Sequence, residues 1–227
     1  MKTLFLLAIC VVLSQPSSYK IVGSLHDCNP QEIEYGNRLI AISKDGKVLN
    51  DAIKTGAKGH FEIGDLAPGN YVIGYYNKFR QRVRKPVAVN AASTSVELCL
   101  DDFQDTNVST LFNTMKNGDK LLLSISSHGC FHTFQDDLTF SLTDKKYSVS
   151  FTDEKNKVRT LPIDIAKLNE LIRFEKIVRH MSKIDGGCTT TDGYVFTKNG
   201  EIVYQATDNT CEWRGVRKIR SEILGIK

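Results

Sequence analysis

Residues 124 to 132 read Ser-Ile-Ser-Ser-His-Gly-Cys-Phe-His, two histidines around one cysteine. Residues of these types could hold a metal, arm a nucleophile or form half of a disulfide. On one extended strand, alternate side chains share a face, so His128, Cys130 and His132 would all point one way. The two histidines would then start roughly 13 Å apart at about 3.3 Å per residue. A single ion bound about 2 Å from each nitrogen therefore requires a bend at Gly129. A fourth ligand would have to come from His26, His60 or His180, none of which sits in a ligand-spaced cluster. As a nucleophile, Cys130 would gain from the neighbouring histidines, which can lower a thiol pKa. It would also need an oxyanion site, and no separate motif supplies one. The structural reading is favoured: Cys130 is expected as a buried thiol or a bridged one, with the histidines hydrogen-bonded or solvated.

Other chemistry-bearing patterns are sparse. There is no Gly-x-Ser-x-Gly, no His-Glu-x-x-His and no glycine loop of the phosphate-cradling kind. The segment GGCTTTDG, residues 186–193, is polar and glycine-rich and reads as a loop. It is also a candidate inhibitory loop, presented rigidly to a target. In KFRQRVRKP, Lys78, Arg80, Arg82 and Arg84 fall two apart, which puts a basic stripe on one face of a strand. Such a stripe suits an acidic protein or polysaccharide surface. A solvated strand edge that discourages edge-to-edge aggregation explains it more simply. Asn107-Val108-Ser109 is a glycosylation sequon if the host is eukaryotic.

The compartment follows from the first residues and the cysteines. Lys2 precedes an apolar run from Leu4 to Leu13, followed by small and polar residues. That layout resembles a secretory signal peptide over residues 1–14, with the mature start near Gln15, and its apolar run is too short to span a bilayer. Ile9 before Cys10 speaks against a lipoprotein signal. Removing Lys2 takes the formal charge from +4 to +3, too mild to argue for nucleic acid. Export permits disulfides. Without Cys10, five of the six cysteines remain, so at least one thiol stays free or pairs outside the chain.

These groups must be positioned by elements of two kinds. From Tyr19 to about Asp101 apolar residues alternate, with turn signals every eight to twelve positions, as in small β-sandwiches. Asp45-Gly46 marks a hairpin and Pro68-Gly69 a turn. In TSVELCL, Val96, Leu98 and Leu100 share a face and leave Cys99 on the other. Cys28 likewise lies opposite Ile21 and Leu25. First and last strands of a sandwich can be neighbours, so a Cys28–Cys99 bridge is expected, stabilising by about 4 kcal/mol.

The stretch GHFEIGDLAPGNY, residues 59–71, carries a resemblance. With the strands around it, it is similar to the carboxypeptidase regulatory-like domain, a transthyretin-like β-sandwich, over residues 19–101. Phe61, Ile63 and Leu66 supply core contacts, and Tyr71 starts the return strand. The resemblance implies a fold and an accessory role, with no catalytic activity.

After Asp102 the pattern changes. Val108, Leu111, Phe112 and Met115 are spaced for one helix face, with Gly118 as its cap. KLLLSIS reads as a strand apolar enough to be buried on both faces. DLTFSL and KYSVSF form a hairpin, and KVRTL is a further strand candidate. Leu168 to Met181 marks one long helix or two short ones, and Ile219, Ile223 and Leu224 suggest a closing helix. Asn199-Gly200 makes the clearest hairpin turn. Facing residues in that hairpin sum to 399, as Cys188 and Cys211 do, so if no bulge shifts the ladder a second bridge is expected there, in preference to Cys130–Cys188 or Cys130–Cys211. That leaves Cys130 as the odd thiol. Residues 102–227 are thus expected as an α+β domain with an antiparallel sheet and two or three helices.

The sequence therefore predicts an exported protein, secreted or periplasmic, that binds or assembles at a protein or polysaccharide surface. No cofactor, nucleic acid or transmembrane segment is expected. The balance is against an enzyme. The alternative is a metal- or cysteine-dependent enzyme built on His128, Cys130 and His132.

Overall fold

The computed structural model describes residues 18–28, 37–105, 107–184, 186–210 and 212–226. The expected leader and Cys211 lie outside the described residues. The protein is mostly β, with few helices. It forms two compact units, one built from residues up to Asn77 with Arg82–Asp102, the other from Lys78–Gln81 and Phe103 onward. Among the described residues no helix is long and apolar enough to cross a membrane.

The first unit contains β1 (Tyr19–His26), β2 (Leu39–Lys44), β3 (Lys47–Lys54), β4 (His60–Leu66), β5 (Gly69–Tyr76), β6 (Arg82–Val89) and β7 (Ser93–Cys99). They form two sheets, β4–β1–β7 and β3–β2–β5–β6, and only β1–β7 is parallel. Alternation places Ile21, Leu25 and Leu98 of one sheet in the same core as Ile40, Ile42 and Ile73 of the other, a β-sandwich-like arrangement. Asp45 and Gly46 take the positive φ that their hairpin requires. Tyr71 is buried and donates its hydroxyl to the Ala67 carbonyl at 2.7 Å, which fixes the turn ahead of it. Gly59 has φ +74°, and a Cβ there would meet the Leu25 carbonyl oxygen.

First and last strands are indeed neighbours: His26 of β1 stands beside Cys99 of β7. The Cys28–Cys99 disulfide closes across them, with Cα atoms 5.2 Å apart. The Cys28 amide also donates to the Asp101 carboxylate at 2.8 Å.

The second unit is organised by a six-stranded antiparallel sheet in the order β11–β10–β9–β8–β12–β13. Its strands are β8 (Lys120–Gly129), β9 (His132–Thr143), β10 (Lys146–Thr152), β11 (Val158–Ile163), β12 (Thr191–Lys198) and β13 (Glu201–Asp208). One long helix, α1 (Ile165–Met181), starts at Asp164, whose side chain accepts the Lys167 amide and so caps the first turn. Its apolar stripe, Leu171, Phe174, Ile177, Val178 and Met181, shares a core with Leu121, Leu123 and Ile125 of β8. Gly215–Arg217 is a single α-turn that continues into a π-helix over Lys218–Leu224, so the closing helix exists in distorted form.

Two local expectations need correction. No helix spans residues 108–115; only a 3-10 turn forms, Phe112–Thr114. The fully buried Glu175 carboxylate accepts the amides of Leu111 and Phe112 and also pairs with Arg179, so a tertiary contact takes the Phe112 amide, which a helix over 108–115 would have bonded to the Val108 carbonyl. Strand β8 is buried on one face rather than two: Leu121, Leu123, Ile125 and Ser127 are covered while the residues between them are half-exposed.

Candidate functional site

The Ser-Ile-Ser-Ser-His-Gly-Cys-Phe-His motif is not one strand. Strand β8 ends at Gly129, β9 begins at His132, and Cys130-Phe131 form the two-residue turn between them. The expected common face for His128, Cys130 and His132 therefore does not exist. His128 points away from the covered face of β8, while His132 crosses to it and lies 3.0 Å from the Ser127 hydroxyl through Nε2. Cys130 is a free thiol, as the arithmetic required, but it is exposed at the hairpin tip, not buried. Phe131 beside it is fully exposed.

Among the described residues, metal-type ligand atoms converge at His26, Cys28 and Glu97 and at Cys28, Cys99 and Asp101, and His128, Cys130 and His132 form no such group. The thiols of both groups are consumed by the Cys28–Cys99 bond. His26 Nε2 instead faces Glu97 Oε1 at 2.9 Å.

The basic stripe is split. Arg82 and Arg84 lie exposed on β6, an edge strand that also carries Lys85 and Pro86. Charges and proline are the ordinary means of protecting such an edge. Lys78 and Arg80 precede the strand, and Arg80 takes φ +55°, so the four do not share one strand face.

A concave site lies elsewhere among the described residues, at the end of the β9–β8–β12–β13 part of the sheet. A cavity of about 580 Å³ is bounded by Ser127, His132 and Phe134 from the first hairpin. Asp192 and Asp208 line it from the second, and Trp213, Arg214 and Arg217 from the C-terminal segment. Asp192 and Asp208 face each other directly across β12 and β13. Both are buried, as are Ser127 and Trp213, whereas His132, Arg214 and Arg217 are exposed. Trp213 packs against Phe174 and Tyr194, with ring centroids 5.4 and 6.1 Å away. Gly215 allows this approach, since a Cβ there would fall 2.1 Å from the Tyr194 hydroxyl and 2.7 Å from the Trp213 ring.

Two carboxylates facing across a ladder repel one another. Burial pushes the Asp192 carboxyl above its ordinary value, while hydrogen bonds from Ser127, Tyr194 and the Val216 amide oppose the rise. Burial likewise pushes up Asp208, opposed by Thr210, and the negative charges of Asp192 and Glu212 push it further. The Thr210 amide donates to Asp208 Oδ1 at 2.9 Å. Such a pair favours a cation or a shared proton.

Ser127 stands between Asp192 and His132. Acyl-transfer triads require the imidazole in the middle, passing the hydroxyl proton while the carboxylate orients the ring. Here the hydroxyl is in the middle and serves as a bridge. The arrangement orients polar groups around a cavity, which is the construction of a binding site.

The GGCTTTDG segment proves to contain part of this site. Strand β12 begins at Thr191, so Asp192 is a strand residue. The amides of Gly186 and Cys188 bond to Asn209, anchoring the preceding segment beside β13. The hairpin sum of 399 holds only at its tip, because a bulge between Phe196 and Thr197 advances the register to 400, pairing Asp192 with Asp208. The index argument for Cys188 and Cys211 thus loses its register. Cys188 is nevertheless disulfide-bonded, and the expected partner lies outside the described residues. The missed signal was the pair of aspartates flanking the Asn199-Gly200 hairpin at nearly equal distance.

No family model and no curated protein matches the chain. Among solved structures, the chain is similar to the TIE protein of Bacillus anthracis, at 12% identity and a TM-score of 0.33, over 86% of this chain and 31% of that one. The chain thus spans about a third of that protein's length. It is also similar to BcpA, the major pilin subunit of Bacillus cereus, at 8% identity and a TM-score of 0.29, over 64% of this chain and 67% of that one. A DUF3823 family protein from Bacteroides uniformis matches at 10% identity and a TM-score of 0.28, over 85% and 97% of the two chains.

Proposed function

We propose that the protein is an exported, non-catalytic binding protein whose second unit holds a small organic cation between Asp192 and Asp208. The observation that carries this reading is the facing, buried carboxylate pair on the lining of a 580 Å³ cavity walled by Trp213. Two carboxylates offer charge-assisted acceptors to an ammonium group, and an aromatic wall attracts the same cation through its ring face. Export is supported by the signal-like first residues and by the disulfides at Cys28–Cys99 and Cys188. The first unit is read as an accessory module, which the likeness of residues 59–71 to the carboxypeptidase regulatory-like domain supports. Cys211 is proposed as the partner of Cys188.

Calorimetric titration of the full chain with n-butylammonium tests the proposal. Saturable one-to-one binding that is lost in D192N/D208N, with the variant still folded by circular dichroism, is the expected result. Undiminished binding by that variant would reject the cavity as the site.

A further inference from the structure

The cavity carries both signs of charge, arranged in a particular way. The carboxylates of Asp192 and Asp208 are buried, on strands β12 and β13. Arg214 and Arg217 are exposed, on the segment that follows Trp213. Arg214 directly precedes the Gly215–Arg217 turn and Arg217 ends it. Both line the same cavity as the aspartates.

Opposite charges sharing a cavity ordinarily collapse into ion pairs. Among the described residues these do not: the ion pair that Arg217 makes is a long one, 4.0 Å to Glu222, and neither arginine reaches Asp192 or Asp208. The aspartates are met instead by neutral donors, namely Ser127, Tyr194 and the amides of Val216 and Thr210. Phe134 and Trp213 supply apolar lining beside these polar groups. A cation alone would satisfy the buried carboxylates and leave two guanidinium groups facing it at the mouth, which disfavours its entry. A ligand with an anionic group at its other end removes that conflict.

Building on the cation-binding reading above, we infer that the ligand is a zwitterion, an amino carboxylate with its ammonium at Asp192 and Asp208 and its carboxylate at Arg214 and Arg217. Guanidinium groups match the planar carboxylate with parallel hydrogen bonds. The apolar spacer or side chain lies against Phe134 and Trp213. His132, exposed beside Ser127, borders the same mouth.

The test titrates the full chain with ω-amino carboxylates of two to six carbons and with the n-alkylammonium ions of equal length. At the best-fitting length the amino carboxylate should bind at least about tenfold more tightly than its alkylammonium counterpart. R214Q/R217Q should erase that advantage while leaving alkylammonium affinity within about threefold of wild type or improved. D192N/D208N should weaken both series. Equal affinities of the two series at every length, with alkylammonium binding still dependent on the aspartates, would overturn the zwitterion and leave the cation site standing. An advantage that survives in R214Q/R217Q would likewise overturn it. Binding of neither series to folded wild-type protein would overturn both readings.

Discussion

Replacing Cys28 and Cys99 together by serine isolates what one covalent tie contributes to the first unit. The bridge joins residues 71 apart in sequence. In the chain-entropy model, a loop of that length loses about 15 cal/mol/K in the unfolded state, or about 4.4 kcal/mol at 25 °C. Small domains are stable by only about 5–15 kcal/mol, so the loss is a large share of what the unit has. The folded contacts should survive, because Leu25 and Leu98 pack on the covered faces of β1 and β7 and the ladder between these strands is unchanged. Chemical denaturation of the full chain separates the units by probe. Trp213, the single tryptophan, belongs to the second unit, while far-ultraviolet circular dichroism reports both. The part of the dichroism transition that belongs to the first unit should lose about 4 kcal/mol, and the Trp213 transition should hold its midpoint. A loss below about 1 kcal/mol would refute the loop-closure reasoning, and an equal shift of both probes would refute confinement of the bridge's effect to the first unit.

Three further outcomes rest on the titration, packing and exposure of single residues. Asp208 is raised above the ordinary carboxylate value of 3.8, so the folded state holds that proton more tightly than the unfolded chain does. The resulting stabilisation is full below that value and is lost as pH rises through the folded pKa. D208N, which keeps an acceptor for the Thr210 amide, should therefore gain melting temperature over wild type from pH 4 to pH 7, and a gap that narrows over that range would be wrong. G215A forces a methyl into the Tyr194–Trp213 contact and should cost about 1–3 kcal/mol, read as a lower denaturation midpoint; a neutral variant would contradict the packing described. Cys130 is exposed, so one thiol should alkylate in the native protein and C130A should change stability by no more than about 0.5 kcal/mol. Mass spectrometry that finds the native thiol protected would restore the buried placement.

Much of the architecture was legible in the sequence because its signals are local. The Asp45-Gly46 and Asn199-Gly200 turns demand positive φ, and both adopt it. Strand parity put Cys28 and Cys99 on matching faces, and adjacency of β1 and β7 let them meet. The periodic stripe from Leu168 to Met181 became α1. What failed depended on distant partners or on turns without a chemical marker. Cys130 and Phe131 take no positive φ, so nothing in their types announced the turn that splits the histidines. The helix expected at 108–115 lost to Glu175, more than sixty residues away in sequence. The site was hidden for a related reason. Asp192 and Asp208 face each other only because one bulge shifts the ladder by a residue, and bulges have no dependable sequence signature.

Trp213 also offers the most direct test of the central claim, that the Asp192–Asp208 cavity is the binding site. It is the chain's one tryptophan and it lines that cavity, so its emission reports occupancy without a label. Titration with n-butylammonium should produce a saturable change in Trp213 fluorescence in wild-type protein, with the calorimetric midpoint, and no change in folded D192N/D208N. Calorimetric binding that leaves Trp213 emission untouched, or a fluorescence response that persists in D192N/D208N, would place the ligand elsewhere and contradict the account.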